Sequence, residues 1–356
     1  MLPYLSLVLS VRNERKTLPG LIDQLLEQSY PPELYEILVV DGGSTDGTGD
    51  LIRRRYSDRR VRVRVLDNPK RTLAAGRNTG IRAASGEAMV FLSGHCRIPS
   101  KNLLADTAEI LETTGAGCLC RPEPFLAPAD TRMGMAIARA RSTRIGRGAT
   151  DEELCGFVDP PASAATYVKS VFTEVGLFDE DFDACAGMEF NERVRKAGVR
   201  AYSDPRLAVH EQPPQKLRWL VREMFRDGQG MSRFMRKHPD RSTVADIAPL
   251  GILLAVLLAL FAWSQLPSMA AAAVTLPLAM FPLAVLLTAM QIGARDGFRC
   301  AWRAPLVFAT IYLGQGTGLL YEYAFPAGSW KKKSAGVVTV GDPQPVKVAN
   351  RNDRVA

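Results

Sequence analysis

Three short polar segments in the amino-terminal part of the chain carry the side chains best suited to chemistry. Each follows an apolar run, and they read Ser10-Val11-Arg12-Asn13-Glu14, Asp41-Gly42-Gly43-Ser44-Thr45-Asp46 and Ser93-Gly94-His95. The second segment places a carboxylate before glycines and hydroxyls, which permit a tight turn and the close approach of a nucleotide. The alternative is an Asx turn with a helix N-cap, in which the same groups only shape the loop.

Short apolar runs alternate with helical patterns around these segments. Runs rich in β-branched residues predict buried strands at residues 5–11, 37–40, 61–66 and 88–92, and apolar spacing predicts helices at 18–28 and 74–84. Such alternation is typical of a parallel sheet, whose ligands gather at the carboxyl ends of the strands. We therefore expect the three polar segments to converge on one cleft, with residues 121–159 on its acceptor side.

The composition changes after residue 215. Residues 216–245 combine aromatic and apolar side chains with several arginines, a pattern that predicts an amphipathic helix at a bilayer surface, with an ordinary solvated helix as the alternative. The stretches 247–266 and 269–294 are uncharged and long enough to span a bilayer. They predict a membrane hairpin, for which the alternative is a buried hairpin in a soluble protein.

A third apolar stretch, residues 304–325, has a weaker pattern. Glycines and Glu322 interrupt it, and basic residues flank it on both sides, so a re-entrant or interfacial segment satisfies the charge rule better than a full span. Residues 246–326 are thus expected to form a membrane region as a whole. The basic tail, residues 327–356, is predicted to be disordered.

Charge and cysteine content narrow the class of protein. The net charge is +8, yet no charged residue lies between Asp246 and Arg295. This distribution favours a basic surface facing a membrane over a nucleic-acid site. The six cysteines show no Cys-x-x-Cys spacing, so we expect neither a zinc site nor a disulfide framework.

Taken together, these segments resemble the family 2 glycosyltransferases, inverting enzymes of the GT-A fold that move a sugar from a nucleotide donor. The resemblance covers residues 4–240 and extends through Val175-Gly176-Leu177-Phe178-Asp179-Glu180 and the helix that begins Glu189-Phe190-Asn191-Glu192-Arg193. It is closest to the membrane-bound exopolysaccharide subgroup that includes succinoglycan-type transferases. It implies an α/β domain over residues 1–215, with a Rossmann-like, mostly parallel sheet and flanking helices, followed by a C-terminal transmembrane helical region.

The resemblance also implies roles for individual residues. Asp41 would contact the nucleobase, the loop from Arg12 to Glu14 would lie beside it, and Gly76 to Asn78 would line the diphosphate side. A segment similar to the family's Gln-x-x-Arg-Trp motif would place Arg218 and Trp219 on the acceptor or product side. The alternative is that these two residues only begin the interfacial helix. The full set implied for the donor is Ser10, Arg12, Asn13, Glu14, Asp41, Gly43, Ser44, Asp46, Gly76, Arg77, Asn78, Ser93 and Gly94.

Two departures from the family pattern fall at its chemical centre. Where the family has Asp-x-Asp or Asp-x-His to hold a divalent metal, this chain has Ser93-Gly94-His95, which leaves His95 as the direct ligand for Mn²⁺ or Mg²⁺. Where the family has a Glu-Asp pair whose Asp is the general base, the chain has Ala186-Gly187, and neither residue can accept a proton. Asp183 and Glu189 are the neighbouring carboxylates that could replace it.

Two functions are therefore expected from the sequence. The first is a membrane-associated inverting transferase of polysaccharide biosynthesis, multi-pass in the inner membrane with its catalytic domain in the cytoplasm. It would take a UDP-linked sugar and a glycan or lipid-linked acceptor, and no nucleic acid. The second is a catalytically impaired relative that binds nucleotide or glycan and serves as a scaffold for polysaccharide assembly proteins.

Overall fold

A mixed β-sheet organises the amino-terminal part of the computed structural model, which describes residues 2–57, 59–127, 131–146, 154–160, 164–276 and 279–326. The predicted disordered tail lies outside these residues. Within them the sheet has the strand order β3-β2-β1-β4-β7-β5-β8-β6. The strands are β1 (Leu5–Val11), β2 (Tyr35–Asp41), β3 (Arg62–Asp67), β4 (Ala88–Ser93), β5 (Cys118–Cys120), β6 (Gly156–Val158), β7 (Ala164–Val168) and β8 (Ala201–Ser203).

The sheet is parallel at one end and mixed at the other. Strands β3, β2, β1 and β4 run parallel, whereas β7 is antiparallel to both β4 and β5. Alternate residues of β1 point to opposite faces, so Leu7 joins one buried cluster and Val8 the other. Because helices cover both faces, the central strands β1, β2 and β4 are mostly apolar, which is why they are visible in the sequence.

Seven α-helices precede residue 217 in the described part of the chain. They are α1 (Leu18–Leu26), α2 (Thr48–Arg55), α3 (Leu73–Ala83), α4 (Leu103–Thr114), α5 (Arg132–Arg141), α6 (Lys169–Val175) and α7 (Ala186–Lys196). All but α5, which packs against the carboxy-terminal helices, flank the sheet. Helices α1 and α4 pack in the cluster on one face of the sheet, and α3, α6 and α7 pack in the cluster on the other. This arrangement leaves the carboxyl ends of β1, β2 and β4 open for a ligand.

The carboxy-terminal helices are α8 (Leu217–Lys237), α9 (Val244–Gln265), α10 (Ser268–Thr275), α11 (Met280–Asp296), α12 (Phe298–Ala301) and α13 (Ala304–Ala324). In the described residues only α9 is long and apolar enough to cross a membrane, by length and composition. The stretch 269–294, expected as one helix, holds α10 and most of α11, and residues 277–278 between them lie outside the described residues. The hairpin of two spans therefore stays a prediction.

Helix α8 packs against protein along the face that was expected to meet lipid. Its residues Leu220 and Met224 are buried with Val307 and Phe308 of α13, and Phe234 lies in the cluster under the sheet. Helix α8 is amphipathic because its hydrophobic stripe covers a protein core. The prediction that this stripe rests on the bilayer is therefore wrong for these residues, although Trp219 and Val221 remain exposed.

Glycines set the close approach of α8 and α13. A Cβ added to Gly228 would lie 2.2 Å from the carbonyl oxygen of Gln315, and one added to Gly318 would lie 2.1 Å from that of Phe225. Neither distance is tolerated between real atoms, so any larger residue would push the two helices apart. The glycines that weaken the membrane pattern of residues 304–325 are thus explained by helix packing.

A buried cluster of charges fastens the end of α13 to α8. Glu322 is fully buried; its carboxylate accepts from Arg233 Nε and Nη2, both at 3.0 Å, and from Arg236 Nη2 at 2.9 Å. Arg233 also donates to the carbonyl oxygen of Asp181 at 2.8 Å. This contact links the last described helix to the loop that precedes α7.

Candidate active site

The loops after β1 and β2 are joined by hydrogen bonds at the carboxyl edge of the sheet. The amide of Asn13 donates to Ser44 Oγ at 2.8 Å, and the amide of Thr45 donates to Asn13 Oδ1 at 2.8 Å. Asn13 has a φ of 59°, a left-handed conformation that asparagine tolerates better than most residues. Two of the three polar segments therefore form one surface, on which Arg12 and Gly43 are exposed.

The carboxylates of Asp41 and Asp46 accept different hydrogen bonds from the loop. Asp41 Oδ1 accepts from the amide and hydroxyl of Ser44, at 2.9 and 2.6 Å. Asp46 accepts from the amides of Thr48 and Arg15, at 3.0 and 3.1 Å. Burial alone would raise the pKa of Asp46, but these hydrogen bonds outweigh it and hold the pKa below its usual value. Asp46 thus shapes the start of α2, as the Asx-turn alternative expected, and the second carboxylate oxygen of Asp41 lies beside Gly49 in the first turn of that helix.

The third polar segment meets the first through His95. Its Nδ1 lies 3.1 Å from Glu14 Oε1 and its Nε2 lies 3.4 Å from Glu211 Oε2, while the hydroxyl of Ser93 donates to Glu211 Oε1 at 2.6 Å. Burial would lower the pKa of His95, but the two carboxylates outweigh it and raise the pKa. The three polar segments are therefore brought together, and Glu211, which no sequence motif marks, joins them.

The residues at this point do not fit a bound divalent ion. Both imidazole nitrogens of His95 face carboxylate oxygens, and the Ser93 hydroxyl donates its hydrogen bond to Glu211. Across the described residues no group of three or more His, Cys, Asp or Glu side chains is arranged to hold a metal. The assignment of His95 as a metal ligand is therefore not supported by its contacts, which are those of a histidine held between two acids.

A cavity of about 220 Å³ opens beside His95. Arg77 reaches it from α3, with its guanidinium carbon 5.4 Å from the ring centre of Phe91 and 5.1 Å from that of Phe178. Burial lowers the pKa of Arg77, although the group stays charged at neutral pH. The lining comprises Val8, Ser10, Glu14, Leu73, Arg77, Phe91, Leu92, Ser93, Gly94, His95, Arg121, Glu123, Ala164 and Ala165.

Arg121 and Glu123 follow β5 and face the same cavity. Arg121 Nε donates to Glu123 Oε1 at 3.1 Å, and Arg121 Nη2 donates to the carbonyl oxygen of Phe91 at 2.7 Å. Burial raises the pKa of Glu123, and the neighbouring Arg121 partly offsets this. Sequence reasoning placed residues 121–159 on the acceptor side as a block but singled out neither side chain, because no motif surrounds them.

Asn78 is occupied by the fold. Its amide nitrogen donates to the carbonyl oxygen of Phe178 and to Glu180 Oε1, both at 2.9 Å, and its oxygen accepts from the Phe178 amide at 2.9 Å. The side chain is buried and its hydrogen bonds are made. Asn78 therefore fixes the loop after α6 rather than lining the diphosphate side, whereas Gly76, two residues earlier in α3, lies beside Ser10.

Glu189 is a structural carboxylate. It is fully buried, accepts from Arg193 Nε at 2.8 Å and Nη2 at 2.9 Å, and pairs with Lys237 Nζ at 2.8 Å. Burial would raise its pKa, but the hydrogen bonds and the surrounding cations lower it to about 2. A group this acidic and this enclosed cannot collect a proton from an acceptor hydroxyl near neutral pH, so the assignment of Glu189 as a general base is wrong.

Three further predicted residues lie on the surface outside this cavity's lining. Asp183 is exposed in the loop before α7, whose first residues are Ala186 and Gly187. Trp219 is 47 % exposed in the first turn of α8, where Arg218 and Arg222 stack on its ring at 5.3 and 5.1 Å. Accessibility leaves Asp183 available to a substrate, which Glu189 is not.

The chain is similar in sequence to a known protein family and to individual proteins. Residues 6–175 match the family model described as glycosyl transferase family 2. The chain is 35 % identical over 235 residues to glycosyltransferase AglE of Haloferax volcanii, which covers 64 % of this chain and 73 % of that protein. It is 26 % identical over 250 residues to the succinoglycan biosynthesis protein ExoA of Rhizobium meliloti, covering 69 % of this chain and 74 % of that protein.

A solved structure resembles the whole described arrangement. The mannosyltransferase PcManGT from Pyrobaculum calidifontis, in complex with GDP-Man and Mn²⁺, matches with a TM-score of 0.56 and 20 % identity. The match covers 90 % of this chain and 88 % of that chain. The α/β fold of GT-A type that the sequence predicted is thereby confirmed.

Proposed function

Because the chain belongs to glycosyl transferase family 2, we propose that it transfers a sugar from a nucleotide donor to a glycan or lipid-linked acceptor during polysaccharide synthesis. The observation that carries this proposal is the convergence of the three polar segments on one edge of the sheet. Relatives named for succinoglycan biosynthesis and for glycosyl transfer support the substrate class. Residues 1–215 would form the catalytic unit.

The donor would lie across the joined loops, with its base near Asp41 and its sugar towards His95. Asp41 can accept from a base or ribose through its second oxygen, and exposed Arg12 and Arg71 supply positive charge near Gly43. UDP is the nucleotide we expect. Since the contacts of His95 do not form a metal site, Arg77 and the surface arginines would stabilise the departing diphosphate, and no step is assigned to an ion.

Transfer would proceed by direct displacement with inversion. The acceptor oxygen forms a bond to the anomeric carbon while the bond from that carbon to the phosphate oxygen breaks, and the nucleoside diphosphate leaves. The proton of the acceptor hydroxyl passes to a carboxylate. With Glu189 excluded by its burial and its acidity, Asp183 is the carboxylate we propose, since it is exposed in the loop that Arg233 holds at Asp181.

A test of the donor site replaces Asp41 with alanine. Loss of a charge-assisted hydrogen bond of about 1.5 to 3 kcal/mol should weaken UDP binding by roughly ten- to a hundredfold. Calorimetric titration of the full chain with UDP measures this directly. The matched control is Asp50→Ala, which removes an exposed carboxylate from α2 and should leave the affinity unchanged; equal affinities for the Asp41 and Asp50 variants would refute the donor site.

A binding protein without transferase activity is the second candidate. The observation in its favour is that Ala186 and Gly187 stand at the start of α7, where the family has its acidic pair, while the neighbouring Glu189 is buried. Such a protein would bind UDP in the titration yet release no UDP from UDP-sugars in the presence of acceptor membranes. Release of UDP that is lost in Asp183→Asn would decide for the enzyme.

We further propose that the chain is attached to a membrane through α9. The side chains of Leu257 and Phe261 on this helix are 50 and 63 % exposed. In the most apolar 18-residue stretch of the helix, only 11 % of the residues are buried. Apolar exposure of this extent in water is unfavourable, whereas lipid would cover it. An inner-membrane location with the sheet domain in the cytoplasm fits the nucleotide donor, which is made there.

Membrane attachment predicts a specific response to charge on α9. Leu257→Lys with Phe261→Lys places two cations on one exposed face, at a cost of about 2.5 to 3.5 kcal/mol each near the bilayer centre. The variant should float less with liposomes in a density gradient, while its circular dichroism stays native because both residues are exposed. Gln265→Lys, at the polar end of the same helix, is the control and should float as the unaltered chain does.

A further inference from the structure

The outer face of helix α8 carries a row of three arginines. Arg218, Arg222 and Arg226 follow one another at intervals of four residues, so their side chains lie on the same side of the helix. All three are exposed, and none of them pairs with a carboxylate among the residues that the structure describes. The exposed ring of Trp219 lies against Arg218 and Arg222. The row therefore presents uncompensated positive charge and an aromatic ring outward.

Helix α13 places an apolar stripe beside this row. The two helices run parallel, since Phe225 meets Gly318 and Arg233 meets Glu322. The ring of Tyr321 contacts that of Phe225, with centres 5.6 Å apart, so the stripe and the arginines adjoin. The exposed residues of α13 recur on one side of the helix at intervals that fit its turn, and they include Leu306, Thr317, Leu320, Tyr321 and Ala324.

Helix α9 borders the same stripe on its other side. A Cβ added to Gly316 would lie 2.5 Å from the carbonyl oxygen of Pro249 and 3.0 Å from Cβ of Leu253, so α9 crosses α13 at this glycine. Gly318 faces α8 in the same way, and the helical turn puts the exposed stripe between the two glycines. The surface therefore passes from the apolar exposed residues of α9, over the stripe of α13, to the arginines of α8.

The gradient across this surface matches the edge of a bilayer. Exposed apolar side chains are covered by acyl chains, tryptophan and tyrosine lie at the boundary with water, and guanidinium groups reach phosphates. A second copy of the chain fits less well, because a two-fold contact would bring the arginine rows of both copies together. Anionic lipids supply the negative charge that the described part of the chain does not place beside the row.

We propose that the outer face of α8 and α13 lies on the bilayer at the level of the headgroups, where Arg218, Arg222 and Arg226 bind the phosphates of anionic phospholipids. The inference extends the proposed attachment through α9 and rests on it, since α9 brings this face to the membrane. The opposite side of α8 packs under the sheet through Phe234. One helix thus connects the lipid headgroups to the domain that carries the candidate active site.

Flotation of the full chain with two kinds of liposome tests the lipid. One kind contains phosphatidylcholine alone, and the other contains phosphatidylcholine mixed with phosphatidylglycerol. We expect stronger partitioning into the anionic liposomes at low salt and a smaller difference at high salt, because salt screens the attraction. Arg222→Gln with Arg226→Gln should weaken partitioning into the anionic liposomes by roughly fivefold for each arginine and leave partitioning into phosphatidylcholine unchanged.

The matched control is Arg54→Gln with Arg60→Gln. It removes the same charge from two exposed arginines, on α2 and just before β3, and should partition as the unaltered chain does. Equal losses in the two double variants would reduce the effect to net charge and overturn the assignment to α8. Circular dichroism verifies that both variants are folded.

Other outcomes also overturn the inference. Equal partitioning of the unaltered chain into both kinds of liposome would remove the anionic lipid while leaving α9 as the attachment. Flotation with neither kind would defeat the attachment through α9 as well. If Arg222→Gln with Arg226→Gln dissociates an oligomer during sedimentation in detergent, the face is a contact between copies of the chain instead.

Discussion

Glu189→Gln should destabilise the fold by about 3 to 5 kcal/mol, the usual cost of removing one partner from a buried ion pair. The replacement leaves Arg193 and Lys237 facing a neutral side chain that is itself fully buried. Urea unfolding of the full chain in detergent, followed by circular dichroism, measures the loss. Glu174→Gln on the neighbouring α6 is the control, because that glutamate is exposed and its loss should change the midpoint little.

The same variant has a predictable pH dependence. The pKa of Glu189 is about 2 in the folded chain against 4.5 ordinarily, so its stabilising effect is complete above about pH 4.5 and is lost as the pH falls towards 2. Between pH 7 and pH 3.5 the advantage of the unaltered chain over Glu189→Gln should fall by about 1.4 kcal/mol. A variant that is as stable as the unaltered chain but inactive would instead restore Glu189 as a catalytic group.

Glu322→Met should lower the free energy of unfolding by a similar amount, about 3 to 5 kcal/mol. The substitution leaves the guanidinium of Arg233 buried without its carboxylate partner. Thermal unfolding in detergent measures it. The informative comparison is the double variant Arg233→Met with Glu322→Met, which removes both buried charges. It should be more stable than Glu322→Met alone, since Arg236 can turn to solvent and two methionines can pack where the ion pair was.

Additivity would contradict this account. If the two substitutions simply sum, the pair contributes no coupling energy and α13 is held to α8 by apolar contacts alone. A lowered rate of UDP release in Arg233→Met at unchanged UDP affinity would in addition report a displaced Asp183, because Arg233 also holds the carbonyl oxygen of Asp181.

The parallel half of the sheet could be predicted because its strands are long and apolar on both faces. Strands β1 and β2 each have seven residues and β4 has six, and each leads directly into a polar loop. The other half could not be predicted. Strands β5, β6 and β8 have three residues each, which is too short for any periodicity to appear.

The site was predicted where it is local in sequence and missed where it is not. The loops after β1, β2 and β4 follow from strand order, and they meet as expected. Glu211 reaches Ser93 across 118 positions of chain, and no motif marks it. A motif also does not show burial, which is why the sequence predicts a base at Glu189 and a ligand-facing side chain at Asn78, whereas both side chains are buried.

The membrane region shows how composition can mislead about position. Residues 304–325 have nearly the apolar content of a span, yet Phe308 and Leu319 pack into the protein, and Glu322 is neutralised by arginines rather than by the edge of a bilayer. Among the residues that the structure describes, only α9 has the length and the exposure that a lipid-facing helix needs. The family itself, predicted from the polar segments, is confirmed.

The seating of α13 on α8 has a practical consequence for anyone who wants the catalytic unit in water. Leu319 of α13 completes the cluster beneath the sheet, and the glycines of α8 and α13 let the two helices pack closely. A chain that ends before the apolar helices would therefore expose the cluster beneath the sheet. A version that lacks only α9 to α12 would need a hydrophilic linker from the end of α8 back to the start of α13, and it would have to run the length of α8, about 30 Å, because the two helices pack in parallel.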